Sequence, residues 1–338
     1  MATSVPAYRI CQEDVVRLSE RAFDRSKSDL ERLMPVFGNA GISTRYFCMP
    51  PDWYLAPHGW VERSRLYVEH AVDLLADASS KCIAAAGCRL QDVDTVVTVS
   101  TTGIATPSID ALLMERLAMR RDARRLPLFG LGCAGGVIGL SRAADMAAAR
   151  PGQRVLLLVV ELCSLTFRYG DNSNSNIVAS ALFGDGAAGI LIDSVGDGPR
   201  LGDGGEHTWA DSLDVMGWHI KEDGLGVLFS RDIPNLVRRE FWPIVDAFLA
   251  CRQLRRRDLA DVICHPGGAK VMDALEDGFG TSAAMGVARD VLRDYGNMSA
   301  ATVLFVLERM LPDCRPGRYL MSALGPGFTA GFQLLHVE

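Results

Sequence analysis

One run constrains this chain of 338 residues more than any other: Leu128–Gly136, LFGLGCAGG, where a cysteine interrupts an apolar strand pattern running into a helix. Leu126–Leu131 is apolar enough for a buried strand, and Gly135–Ala149 carries apolar residues at helical spacing, so Cys133 falls at a strand-to-helix turn. Unpaired amides and the helix dipole favour negative charge there and lower a thiol pKa below its ordinary value of about 8.5. The flanking glycines let a substrate approach the backbone closely. Free cysteines mostly serve as buried small hydrophobes; position and company make Cys133 the candidate nucleophile.

The same strand-turn-helix grammar recurs along the chain. Gln12–Arg32 has a helical pattern; Asn39–Tyr46 is a loop holding Arg45, and Met49–Trp60 is irregular. Arg63–Ala86 is helical, Val93–Ser100 is a β-branched buried strand, and a helix starts near Pro107. Arg154–Glu161 (RVLLLVVE) is a continuous apolar strand, Tyr169–Asn176 a loop or helix start, and Gly184-Asp185-Gly186 turns into another buried strand. Continuous rather than alternating apolar strands between helices indicate a sheet covered on both faces. Ser194–Glu206, rich in Gly, Asp and Pro, reads as the linker between an N-terminal half, 1–195, and a C-terminal half, 196–338. Beyond it come a long amphipathic helix, Asp232–Arg252, a short strand ending in His265, helices over Val287–Tyr295 and Ala300–Met310, and closing strands Tyr319–Leu324 and Phe328–His336. Asn297 stands just ahead of a helix, as Cys133 does. Functional groups at strand ends fit an α/β protein whose site lies at the carboxyl edge of its sheets.

Composition narrows the class. At 49% hydrophobic the chain buries one large core or two fused ones. A net charge of −6 gives no support to a nucleic-acid binder, although a local basic patch could hold a phosphorylated ligand. No apolar run reaches the roughly 18 residues of a spanning helix, and no signal core follows the N-terminus, so a cytoplasmic location is expected. Nine cysteines without a CxxC pair argue against a zinc site and a complete disulfide framework.

A thiol nucleophile needs a base, and acyl chemistry needs donors for the developing oxyanion; imidazole and carboxamide supply both. Spacing alone does not select among six histidines. His58, His70, His207 and His336 read as ordinary polar groups, and His219 stays open. The order and spacing of Gly132–Gly136, Ala181–Gly186 (ALFGDG), His265–Gly268 (HPGG), Tyr295–Ser299 (YGNMS) and Gly325–Gly327 select further. From about residue 5 to the end, the chain resembles chalcone synthase-like type III polyketide synthases.

That resemblance implies a thiolase-like fold, two similar α/β halves in five layers, α-β-α-β-α, and a homodimer. It implies Cys133 as acyl-accepting nucleophile, His265 as its imidazole partner and Asn297 as second oxyanion donor. An acyl-CoA starter loads Cys133, and malonyl-CoA then decarboxylates to an enolate that attacks the thioester, with CoA thioesters as substrates and no metal or redox cofactor. HisProGlyGly and TyrGlyAsnMetSer separate the chain from initiating ketoacyl-carrier-protein synthases, and no motif places the general-acid glutamate of hydroxymethylglutaryl-CoA synthase. A non-catalytic thiolase-fold binding protein is the alternative of a different class.

Departures from the plant pattern concern the cavity. Phe183 matches one gatekeeping phenylalanine, while Val227 stands at the second gate and widens the passage. Trp218 replaces a small cavity residue and reduces the elongation space. Thr101, Thr106, Cys163 and Thr166 match cavity positions, Thr106 being the one that reaches across the dimer. Of three cationic positions that hold CoA phosphates in plant relatives, Arg32 is kept and Pro35 and Asn39 occupy the others, leaving Arg45 and Lys270 as substitutes. The chain begins where relatives have an additional leading strand, so a shortened start and an incomplete edge are expected. Met216–Trp218 and Phe229–Pro234 resemble bacterial alkylpyrone synthases, which implies a medium or long fatty acyl starter, two or three extensions and an alkyl α-pyrone; resorcinol formation or a small starter is the alternative.

Overall fold

Val155–Leu162 (VLLLVVEL) is buried at all eight positions, as a strand covered on both faces must be. The computed structural model describes residues 1–23, 34–196 and 198–338. In chain order its strands are β1 (Ala2–Ser4), β2 (Tyr8–Cys11), β3 (Thr44–Phe47), β4 (Thr95–Val99), β5 (Arg124–Leu128), β6 (Val155–Leu162), β7 (Asp185–Ile192), β8 (Arg200–Thr208), β9 (Met216–Lys221), β10 (Gly224–Phe229), β11 (Asp261–Cys264), β12 (Gly317–Gly325) and β13 (Thr329–Val337). The longer helices are α1 (Gln12–Ala22), α2 (Trp60–Ala85), α3 (Ile109–Arg116), α4 (Gly135–Ala149), α5 (Asn174–Leu182), α6 (Trp242–Ala250), α7 (Ala269–Phe279), α8 (Ala283–Tyr295) and α9 (Thr302–Met310).

Two sheets repeat one plan. The first is ordered β1-β7-β6-β4-β5, with β5, β4 and β6 parallel and β7 and β1 antiparallel. In the second, β11-β12-β13-β8, the parallel pair β11 and β12 stands where β4 and β6 do, and β13 and β8 match β7 and β1. Helices α4 and α9 lie between the sheets: α4 packs on β6 and β13, and α9 on β1, β7, β11 and β12. Helix α2 covers the outer face of the first sheet, and α8 and α6 cover the second, where Phe248 sets its ring 5.1 Å from that of Phe332 on β13. The result is five layers, helix, sheet, helix, sheet, helix. A single apolar core runs through Val97 and Leu157 of the first sheet, Val137 and Val303 of the central helices and Val262 and Leu320 of the second sheet.

Several local expectations change. β5 ends at Leu128 and exposes Arg124 and Arg125, because it is the sheet's edge strand and not a buried one. β8 starts inside the stretch read as linker and pairs with β13. The helix expected over Asp232–Arg252 is present without interruption from Ile233 to Ala250, with a π turn at Val237–Phe241 between Ile233–Leu236 and α6. Arg45 lies on β3, paired with β2, rather than in a loop. The leading edge strand is present as β1, antiparallel to β7. Of the helix expected over Gln12–Arg32, Gln12–Ala22 is helical, and 24–33 lie outside the described residues. Met216–Phe229 forms a hairpin that the sequence pattern does not reveal: β9 and β10 pair with Lys221 opposite Gly224 and Trp218 opposite Val227.

Candidate active site

Cys133 is the middle residue of a 3₁₀ turn, Gly132–Ala134, that runs directly into α4. Gly132 adopts φ +47, and a Cβ there would lie 2.4 Å from Pro326 Cδ, so the Gly325–Gly327 turn packs straight onto the cysteine's turn. The Gly132 N–H donates to Thr101 Oγ1 at 3.0 Å. The second half offers its groups from matching places. His265 follows β11 and donates its N–H to Ser322 O at 2.8 Å. Asn297 precedes the 3₁₀ turn Ser299–Ala301, which opens α9 as the cysteine's turn opens α4. Cys133, His265 and Asn297 all line one cavity of about 530 Å³.

The carboxamide of Asn297 is fixed at both ends: Oδ1 accepts from Ser299 N–H at 2.8 Å and Nδ2 donates to Gly267 O at 3.1 Å. One Nδ2 hydrogen remains. Burial pushes the Cys133 thiol up to about 12, the Glu161 carboxylate adds to this, and hydrogen bonds from Ser299 and Asn297 pull the other way. The lowering expected at a helix start is outweighed, because the turn is closed off from water. His265 moves oppositely: burial pushes its imidazole down to about 3, and neither ring nitrogen has a partner among the described residues. Each group alone is therefore neutral.

Glu161 was read only as a strand end. Fully buried, its Oε2 accepts from Thr101 N–H (3.0 Å), Thr102 N–H (3.1 Å) and Thr102 Oγ1 (2.8 Å), and its Oε1 from Ser299 Oγ (3.3 Å). Burial raises it to about 7 despite these donors. The Ser299 hydroxyl thus lies between a carboxylate and the reactive sulfur. The available signals were an acid closing an otherwise apolar strand and the last residue of YGNMS.

The cavity residues separate into groups. Phe183, Cys163, Trp218 and Val227 form one apolar cluster with Ala179 and Phe229. Phe183 and Cys163, with Thr166, also line a second, apolar cavity of about 40 Å³ that reaches Leu18 of α1 and Phe167. Phe229 lines the large cavity, and its ring centroid is 5.7 Å from that of Phe183, so this pair stands between the two spaces. Thr101 supports the cysteine's turn, and Thr166 Oγ1 donates to Cys163 O at 2.7 Å. Thr106 is exposed, ahead of α3. Arg45 does not serve as a phosphate grip: it is fully buried and its guanidinium is spent on backbone carbonyls. Arg32 lies outside the described residues. Exposed Lys270 and Arg231, the latter unassigned in the sequence reading, bring positive charge to the lining of the large cavity.

A buried thiol, an imidazole and a carboxamide line one cavity, a set suited to acyl transfer through a thioester. Comparison with known proteins agrees. Family models of chalcone and stilbene synthases match the chain, the N-terminal domain over residues 57–198 and the C-terminal domain over residues 208–336. A putative chalcone synthase of Bacillus subtilis is 37% identical, covering 100% of this chain and 98% of the relative. A 1,3,6,8-tetrahydroxynaphthalene synthase of Streptomyces peucetius subsp. caesius is also 37% identical, covering 98% of this chain and 91% of its own. The crystal structure of the 1,3,6,8-tetrahydroxynaphthalene synthase of Streptomyces coelicolor A3(2) superposes with a TM-score of 0.94 at 26% identity, over 100% of this chain and 98% of that one. The chain belongs to the chalcone and stilbene synthase family and is a type III polyketide synthase.

Proposed function

We propose that the enzyme loads a medium- or long-chain fatty acyl group from CoA onto Cys133, extends it with two or three malonyl-CoA units, and releases an alkyl α-pyrone. His265 takes the thiol proton as the Cys133 sulfur attacks the starter thioester, and CoA leaves. Malonyl-CoA then loses carbon dioxide, and His265 and Asn297 donate to the thioester oxygen of the resulting enolate. The enolate carbon attacks the Cys133 thioester and expels the thiolate, leaving the lengthened chain on CoA; the thiolate then attacks that thioester, CoA leaves, and the chain is back on Cys133 for the next round. Lactonisation of the finished chain releases the pyrone. Arg231 and Lys270 hold the CoA phosphates at the cavity mouth in place of Arg45. The route uses side chains and CoA thioesters alone, in the cytoplasm, in a homodimer whose Thr106 loop faces the partner.

What supports the starter preference is the apolar lining beyond Phe183, formed by Val15, Leu18, Cys163, Thr166 and Phe167 around a space of about 40 Å³ that takes a long chain only by widening. Each methylene buried against that lining contributes about 0.8 kcal/mol. Trp218, facing Val227 across the hairpin, limits the number of extensions. A second reading, a polyhydroxylated aromatic built from malonyl units only, is favoured by the 37% identity to a tetrahydroxynaphthalene synthase. The deciding experiment supplies malonyl-CoA alone, then with acyl-CoAs of increasing length and with aromatic CoA starters, and identifies products by mass. Alkyl α-pyrones that peak with medium or long acyl chains are expected. An aromatic product from malonyl-CoA alone selects the second reading, and turnover of aromatic starters without fatty ones overturns both.

A further inference from the structure

Among the described residues, the guanidinium of Arg45 is the largest fully buried polar side chain, and no carboxylate is among its hydrogen-bond partners there. Its Nη1 donates to Ser180 O and Phe183 O, each at 2.9 Å, and its Nη2 to Ala181 O at 2.7 Å and to the Gln12 side-chain oxygen. Those carbonyls are the ones α5 leaves unpaired at its C-terminus, where the helix dipole favours a cation. The remaining carbonyl of that end, Leu182 O, accepts the N–H of Asn297 at 2.8 Å, and Gly184 N–H donates back to Asn297 O at 3.0 Å. Four consecutive carbonyls, 180 to 183, are thus closed by Arg45 and Asn297 between them.

The packing leaves no slack at this crossing. A Cβ on Gly184 would lie 2.4 Å from Tyr295 O and 3.3 Å from the Arg45 Cβ, so β3, the end of α5 and the residues before Asn297 meet backbone to backbone. Phe183 is the C-cap of α5 and forms a β-bridge with Asn297. We propose that Arg45 is a positioning residue of the condensation site: through the carbonyls ending α5 it sets both the gate ring of Phe183 and the oxyanion donor Asn297. This rests on the role proposed above for Asn297. Its planar fork meets carbonyls in several directions at once, which an ammonium on a flexible stem does not reproduce.

Two reactions of the full-length protein separate positioning from general damage. Carbon dioxide release from malonyl-CoA without a starter reads Asn297 and His265, whereas iodoacetamide alkylation of Cys133 reads the thiol. In Arg45→Lys, decarboxylation falls about ten- to a hundredfold, as a displacement near 1 Å produces, while alkylation stays within about twofold and the accepted range of starter lengths widens. Should Arg45→Lys fail to fold, Gln12→Met, which takes one acceptor from the guanidinium and removes the Gln12 Nε2 bonds to Phe37 O and Ala181 O, lowers decarboxylation about threefold in the same selective way. Equal loss of both reactions in a folded variant, or unchanged decarboxylation, overturns the proposal. Asn297→Ala runs in parallel. If it keeps decarboxylation, the role of Asn297 itself fails; if it loses it while the Arg45 and Gln12 variants do not, only the Arg45 assignment fails.

Discussion

A thiol pushed up to about 12 and an imidazole pushed down to about 3 are both neutral at ordinary pH, each through burial. Cys133→Ala is expected to abolish acyl-enzyme in intact-mass spectra with little change in melting temperature, since the substitution removes little volume. Cys133→Gln keeps malonyl-CoA decarboxylation, because His265 and Asn297 remain. His265→Ala loses decarboxylation as well, by about a hundredfold or more; acylation at another residue with product still forming would remove the assignment. Glu161 carries a pH signature. Its folded pKa, about 7 against an ordinary 4.5, is raised, so its protonated form favours the fold below about 4.5 and this contribution is lost as pH rises through 7. Relative to Glu161→Gln, the native enzyme should lose on the order of 3 kcal/mol between pH 5 and pH 8 in urea denaturation. In Glu161→Gln the Cys133 thiol, freed of a neighbouring negative charge, should also alkylate about tenfold faster at pH 8. A slower rate would show that the hydrogen bonds to Ser299 and Thr102 matter more than the charge.

At the scale of elements, the β9–β10 hairpin carries Trp218, to which the proposed function assigns the limit on product length. Trp218 and Val227 are cross-strand partners on a two-stranded sheet whose tip is tied down where Arg168 Nε meets both oxygens of Asp223 at 2.9 and 2.8 Å. Trp218→Gly opens the face toward Phe183 and Phe229, and heavier products with at least one more malonyl unit are expected by mass spectrometry; an unchanged product series places length control elsewhere. The sequence concealed this hairpin because Gly217 and Gly226 interrupt the alternation of both strands, leaving Asp223-Gly224 as the one turn signal. β5 was misjudged for a different reason. Apolar content reports that a strand is possible, not that both its faces are covered, and only sheet order reveals an edge. In contrast, β6, α4 and the strand before His265 were readable, because continuous apolar runs and helical spacing each have one structural answer there. Arg45 illustrates what spacing cannot tell: a cation looks solvated in sequence until the fold supplies carbonyls to bury it.

The molecule as a whole leaves Ile104 (49%) and Phe129 (56%) exposed beside Thr106 and next to the edge strand β5, the face a second copy would cover. Light scattering on the active enzyme is expected to give twice the chain mass of 36.7 kDa, with Ile104→Glu shifting it toward the monomer and lowering turnover. An active monomer at working concentration would remove the dimer. The duplicated plan of the sheets was half legible: the sequence showed Cys133 and Asn297 each ahead of a helix, but not that the two turns face one another. That facing arrangement has a consequence for synthesis. The cysteine leaves the ribosome with the first half, more than a hundred residues before His265 and Asn297. Until the second sheet closes over α4, the nascent chain carries Cys133 at an open helix start, free of the burial that raises its pKa in the finished fold and without His265 and Asn297.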